Sequence, residues 1–221
     1  ASSGSICSGN SFTINPTGAL SYTYSSGSNV VTPLATTTYS LFGSNAAGCS
    51  NTLAAIVTVT VNSIPAIVVN SGTICEGQSF TITPSGANTY TYSSGSSIVS
   101  PMQSSTYSVS GTSSAGCVSS SPVISTVNVL SSPTLVVSGG TVCSGQSFTL
   151  SPSGALNYTY SGGNSVVSPT TNTTYTITGT NANGCVNYIP AIATITVNAL
   201  PTVSASSGSI CSGNSFTINP T

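Results

Sequence analysis

The residues able to do covalent chemistry in this 221-residue sequence are seven cysteines, Cys7, Cys49, Cys75, Cys117, Cys143, Cys185 and Cys211. Their gaps alternate between 42 (49 − 7) and 26 (75 − 49) along the whole chain, so one cysteine period is 42 + 26 = 68 residues. A zinc site built from four thiolates draws on close pairs, about two to four residues apart. No two of these cysteines are nearer than 26. The remaining chemistry is the disulfide, which persists in oxidising compartments and suits short units that bury too little surface to be stable alone. One bridge per 42-residue step is expected: Cys7 with Cys49, Cys75 with Cys117, and Cys143 with Cys185, leaving Cys211 unpaired within this sequence. Each such loop restricts the unfolded chain by about 4 kcal/mol. A rival scheme joins neighbouring units across the shorter gap, as Cys49 to Cys75.

Other site chemistry is scarce. The sequence has no Lys, Arg or His and a single acidic residue, Glu76. General acid–base and nucleophilic catalysis need a positioned base, acid or activated nucleophile, and these residues cannot assemble one, so an enzyme is not expected. Glu76 is replaced by Ser8 and Ser144 at the equivalent repeat positions; it reads as a neutral turn residue. Calcium takes several carboxylate or carbonyl oxygens, so no metal site and no cofactor is expected. Nucleic-acid binders neutralise phosphates with Lys and Arg, which excludes nucleic acid as a direct partner.

A net charge of −1 leaves little repulsion between copies, and near-zero charge favours association. Self-association into a fibre, by head-to-tail continuity and by lateral contact, is the expected partnership. With 38% hydrophobic residues the chain is not of the polar, highly charged kind that stays disordered. No apolar run approaches the roughly 18 residues of a membrane-spanning helix.

The elements that must position the cysteines repeat with them. Phe12, Phe80, Phe148 and Phe216 are 68 apart, as are Tyr22, Tyr90 and Tyr158, then Tyr24, Tyr92 and Tyr160, then Tyr39, Tyr107 and Tyr175, then Pro65, Pro133 and Pro201. This is a tandem repeat, divided as 1–62 (first strand truncated), 63–130, 131–198, and 199–221 as the start of a fourth unit. A longer period lies over it: residues 1–17 and 205–221 are identical, whereas residues 69–85 match 1–17 at 10 of 17 positions. Since 3 × 68 = 204, the larger unit is three repeats, and the chain reads as a stretch of a longer array.

Within a unit, SIPAIVVN reads as a proline linker entering a first strand, because proline lacks a ladder donor and sits at strand starts. SFTITPSG, NTYTYSSG, STYSVSG and AIVTVTVN alternate apolar and polar residues with period two, the mark of half-buried strands. Ser-Gly and Ala-Gly pairs mark turns between them. Six or seven short strands without helical periodicity describe an all-β chain of small antiparallel β-sandwiches. The tyrosines at strand positions suit a half-wet core or a packing interface; the competing reading has them stacking on surface glycans. Outward threonines, as in TNTTYTIT, are ordinary strand formers, and an ice-binding reading of them is the weaker one.

The order I-C-x-G-x-S-F-T-I-x-P-x-G, Y-x-Y-S-x-G, T-Y-S-x-x-G, G-C, V-T-V-N and Pro resembles the short Ig-like tandem repeats of giant secreted proteins of Bacteroidota. Small substitutions such as Val142 for Ile leave the pattern covering essentially the whole chain. The resemblance implies a surface-exposed or released protein with one disulfide per domain, of a kind that often serves as an adhesin or in gliding. That family usually has Trp where Tyr24, Tyr92 and Tyr160 stand, and it usually carries charged residues. The absence of charge favours a specialised polymer over a dispersed stalk. The expected function is a structural one, an extracellular filament or surface fibre of disulfide-clamped Ig-like domains. The alternative is an adhesin stalk presenting a ligand-binding domain outside this sequence.

Overall fold

In the computed structural model, which describes residues 1–205 and 207–218, the period of 68 in sequence becomes a period of 68 in structure. The first repeat forms β1 (Gly4–Cys7), β2 (Phe12–Thr13), β3 (Ser21–Tyr24), β4 (Val30–Val31), β5 (Thr37–Ser44) and β6 (Ala55–Asn62). The second forms β7 (Gly72–Cys75), β8 (Phe80–Thr81), β9 (Thr89–Tyr92), β10 (Ile98–Val99), β11 (Ser105–Thr112) and β12 (Val123–Leu130). The third forms β13 (Gly140–Cys143), β14 (Phe148–Thr149), β15 (Asn157–Tyr160), β16 (Val166–Val167), β17 (Thr173–Thr180) and β18 (Ala191–Asn198). Among the described residues no helix is long and apolar enough to cross a membrane.

Each repeat is a four-stranded sheet, ordered β1-β6-β5-β3 in the first, facing a two-stranded sheet of β2 and β4. The alternation of AIVTVTVN determines which face is buried: Val57 and Val59 are fully enclosed, while Ile56 between strand and solvent is exposed. They meet Ile14, Val31 and Leu41, with Phe12 and the three tyrosines of the repeat packed around them. The equivalent cores hold Ile82, Val99, Val109 and Val127, and Leu150, Val167, Ile177, Ala193 and Ile195. Four or five buried aliphatic side chains, each worth about 1.5–3 kcal/mol, make a small core.

Two details depart from the expected layout. The sheet is not wholly antiparallel: β1 runs parallel to β6, with Gly4 opposite Val59 and Cys7 opposite Asn62. The chain therefore enters and leaves a repeat at opposite ends of the same pair of strands. The run AIVVN after Pro65 is not the first strand; it makes one isolated bridge, Val68 to Ser85, and the strand proper is the following Gly72–Cys75. Proline at its start removes a donor, and extended backbone lying along a single residue of the next repeat has the same period-two pattern as a strand.

The chain gathers into two compact units: Ala1–Ile74 with Gln78–Val129, and Cys75–Gly77 with the chain from Leu130 onward.

Candidate functional site

Every repeat presents two cysteines in two local settings. The first stands at the last residue of an edge strand, followed by a turn: Asn10 N–H donates to the Cys7 carbonyl at 3.0 Å and Ser8 N–H to the Asn62 carbonyl at 2.9 Å. Cys7 is thereby pinned to the C-terminal end of β6. The second stands at the end of the loop joining the two longest strands. In the first repeat Asn45 Oδ1 accepts from Ala47 N–H and Cys49 N–H, both at 3.0 Å, and Gly48 adopts φ 79°. Asn181 does the same for Asn183 and Cys185 at 3.0 Å, and the Ser113 hydroxyl accepts from Cys117 N–H at 3.1 Å. A left-handed residue before the cysteine explains the Gly-Cys block, since a side chain at that position would be strained.

These settings lie at opposite ends of the same sheet, and this corrects the expected pairings. Seven residue steps along β6 separate Asn62, beside Cys7, from Ala55, at the loop end; at about 3.3 Å per step that is about 23 Å. A disulfide holds its Cα atoms roughly 4.4–6.8 Å apart. Cys7–Cys49, Cys75–Cys117 and Cys143–Cys185 therefore do not form, and neither does the rival Cys49–Cys75. The bonds that form are Cys7–Cys117 and Cys75–Cys185, each 110 residues apart in sequence, with Cα–Cα distances of 5.6 and 5.5 Å. Because 110 = 42 + 68, the strand-end cysteine of one repeat is joined to the loop cysteine of the next. The Cys117 sulfur lies 3.9 Å from the Asn62 carbonyl oxygen, a contact without a shared hydrogen because this sulfur is in the disulfide. Cys49, Cys143 and Cys211 are exposed free thiols, whereas Cys117 and Cys185 are fully buried.

The nine tyrosines on the 68-residue register are half-buried and lie against their cores: Tyr22, Tyr24 and Tyr39 on the first, Tyr90, Tyr92 and Tyr107 on the second, Tyr158, Tyr160 and Tyr175 on the third. Ala19 N–H donates to the Tyr22 hydroxyl at 2.7 Å. The Tyr90 hydroxyl accepts from Ala87 N–H and donates to its carbonyl, both at 3.0 Å, and Tyr158 does so with Ala155 at 3.0 and 2.9 Å. Pro65 and Pro133 are half-buried and Pro201 is exposed.

Behind Pro65 and Pro133 lies a joint that sequence reading missed. Ile67 is only 9% exposed, and a Cβ placed on Gly111 would overlap its Cδ1. Leu135 covers Gly179 in the same way, with a hypothetical Cβ 2.9 Å from Leu135 Cδ2. One apolar linker residue thus sits on bare glycine backbone of the repeat that follows it. The signal was present in the sequence as Gly43, Gly111 and Gly179, each the last but one residue of its strand, since glycine within a strand often marks a close approach.

A cavity of about 350 Å3 in the second unit brings together Glu76, Ser132, Pro133, Leu135, Tyr188 and Pro190. Glu76 is half-buried rather than exposed, and its Oε2 accepts from Ser132 N–H at 3.3 Å. Tyr188, the one tyrosine off the 68-residue register, lies over Gly77. Its equivalents are Ser120 and Thr52, and that break in the repeat was the signal for it. Among the described residues no three His, Cys, Asp or Glu side chains converge on a point suited to a metal ion.

No family model and no curated protein matches this sequence. Solved structures of tandem domains do. The N-terminal eight Ig domains of the Down Syndrome Cell Adhesion Molecule match 93% of this chain over 41% of their own length, at 10% identity and a TM-score of 0.34. Sidekick-1 immunoglobulin domains 1–5 match 90% over 58%, at 14% identity and 0.30. A Ca2+-stabilized adhesin of an Antarctic bacterium matches 82% over 64%, at 13% identity and 0.30. The chain thus spans less than two-thirds of each, and likenesses this remote do not bear on what it binds. By its own strands and sheets the chain is an all-β protein of tandem Ig-like β-sandwich repeats, two of whose joints carry a disulfide.

Proposed function

We propose that this chain is a structural segment of an extracellular filament or surface fibre, made of Ig-like domains in series. The observation that supports this most directly is the constant 110-residue step of the two disulfides, each joining successive repeats. A bridge within a domain stabilises that domain alone; a bridge from each repeat to the next resists separation of neighbours. The apolar linker residues Ile67 and Leu135 anchor each linker on the repeat it enters. Stability in a repeat array combines each unit's own core with its neighbour interfaces. Here the cores are small and the interfaces are covalent.

Two further properties support the reading. Disulfides persist outside the reducing cytoplasm, in keeping with a secreted or cell-surface location. An almost uncharged surface removes the repulsion that keeps soluble domains apart, which favours lateral association. Negative-stain microscopy of the purified chain under oxidising conditions is the test. Uniform fibres with an axial repeat of whole domains are expected; separated thin threads would instead indicate a stalk that presents another domain.

A further inference from the structure

We propose that the cavity beside the Cys75–Cys185 disulfide binds a primary alkylammonium ion, with the Glu76 carboxylate as its counter-ion and the Tyr188 ring as its wall.

Two departures from the 68-residue pattern meet in this cavity. Glu76 stands where the other repeats have Ser8 and Ser144, and Tyr188 stands where they have Thr52 and Ser120. The two are 188 − 76 = 112 residues apart in sequence, yet both line one cavity of about 350 Å3. The disulfide Cys75–Cys185, with a Cα–Cα distance of 5.5 Å, brings their turns together, and all of these residues belong to the second unit. The joint closed by Cys7–Cys117 has the same backbone connections but carries Ser8 and Ser120 at the matching positions. The repeat needs neither a carboxylate nor an aromatic ring there, so the architecture does not account for the pair.

The walls are fixed before any ligand arrives. Glu76 N–H donates to the Leu130 carbonyl at 3.0 Å, and Asn181 Nδ2 donates to the Ser131 carbonyl at 2.8 Å. Asn187, only 6% exposed, donates from Nδ2 to the Ile189 carbonyl at 2.7 Å and so sets the backbone that carries Tyr188. The ring rests on Gly77, which has no Cβ to displace it, and is still 59% exposed. A site ordered in advance loses less freedom on binding, and its volume falls in the range of small-molecule pockets.

The unused hydrogen-bonding groups select the ligand. Glu76 Oε2 accepts from Ser132 N–H at 3.3 Å, while Oε1 accepts from nothing among the described residues. Ser132 also lines the cavity, and its Oγ is buried without a hydrogen-bond partner among the described residues; such an atom signals a missing partner. Leu135, Ile189 and Pro190 complete an apolar wall. Two acceptors beside an aromatic ring and aliphatic side chains match a cation that only donates, carried on a hydrocarbon stem. An ammonium group has three donors and no acceptor, and a tyrosine face attracts it. A guanidinium pairs best with both oxygens of a carboxylate, and here one is engaged. A divalent metal takes several oxygen ligands, and one carboxylate does not supply them. The chain has no Lys or Arg, so no side chain of a second copy provides the cation.

Titration of the oxidised full chain with n-butylammonium chloride, followed by amide NMR, tests the site, with n-butanol as the neutral isostere. Saturable shifts are expected at Glu76, Gly77, Tyr188 and Ile189 and not at Ser8 or Ser120, and n-butanol should bind at least about tenfold more weakly. Glu76→Ser and Tyr188→Ser each install a residue that another repeat carries at that place, which preserves folding; unchanged spectra elsewhere check this. Glu76→Ser should weaken butylammonium binding by about tenfold and Tyr188→Ser by about threefold. No saturable shift, equal binding of n-butanol, undiminished binding by Glu76→Ser, or equal shifts at Ser8 and Ser120 would overturn the site. A peptide with blocked termini and one lysine distinguishes the source of the ammonium: shifts at the same amides admit a protein side chain, and their absence, with butylammonium bound, assigns the site to small free amines.

Discussion

Cys49 and Cys117 occupy one position of the repeat, yet the first is an exposed thiol and the second a buried half of a disulfide. Substitution should separate them. Cys117→Ser opens a bridge whose partners are 110 residues apart and is expected to lower the unfolding free energy by about 4–5 kcal/mol in the chain-entropy limit. Cys49→Ser leaves stability within about 0.5 kcal/mol, as for an exposed residue with no structural role. Urea titrations of the two variants, each against the unmodified chain, check both. The tyrosine hydroxyls allow a finer test. Tyr90→Phe removes one accepted and one donated hydrogen bond to Ala87 and is expected to cost about 1–2 kcal/mol, seen as a lowered urea midpoint with an unchanged slope.

The extended linker is the element whose role differs from its pattern. AIVV was legible as a period-two apolar run, and a strand of the repeat's own sheet was the natural reading. Ile67 and Val69 do face apolar surface, but Ile67 lies against Gly111 and Val69 against the repeat's core rather than in a ladder of paired backbone. Alternation reports that one side is buried and is silent on what buries it. Adjacent residues should therefore respond oppositely. Ile67→Ala is expected to lose about 2–5 kcal/mol by transfer and cavity terms, whereas Val68→Ala, at 65% exposure, should change stability by less than about 1 kcal/mol. Thermal unfolding of the pair provides the comparison.

For the molecule as a whole, the missing charges make the clearest prediction. Only Glu76 among the side chains carries a charge at neutral pH, so few protons are taken up or released on unfolding, and stability follows proton linkage. The urea midpoint should be flat between about pH 5.5 and about pH 7.5. Raising salt from about 0.05 M to about 1 M screens almost nothing and should leave assembly unchanged by light scattering. With no Lys or Arg present, trypsin should leave the chain intact even after reduction and unfolding. That result distinguishes absence of cleavage sites from protection by folding.

Composition and period by themselves determined that the chain is all-β, that its pattern repeats every 68 residues, and that cysteines enter disulfides, as four of the seven do. Those properties are local: a two-residue alternation decides the buried face, and a translation in sequence carries one repeat's structure onto the next. The cysteine partners were decided only by tertiary structure. Which thiols meet depends on the ends of the sheet to which strand and loop deliver them, and the parallel pairing of β1 with β6 places the two cysteines of a repeat about 23 Å apart or more. Spacing alone favoured a bridge across the 42-residue step within each repeat. Strand direction instead sends Cys7 and Cys75 to the loop of the following repeat, and a bridge expected within a domain becomes a link between repeats.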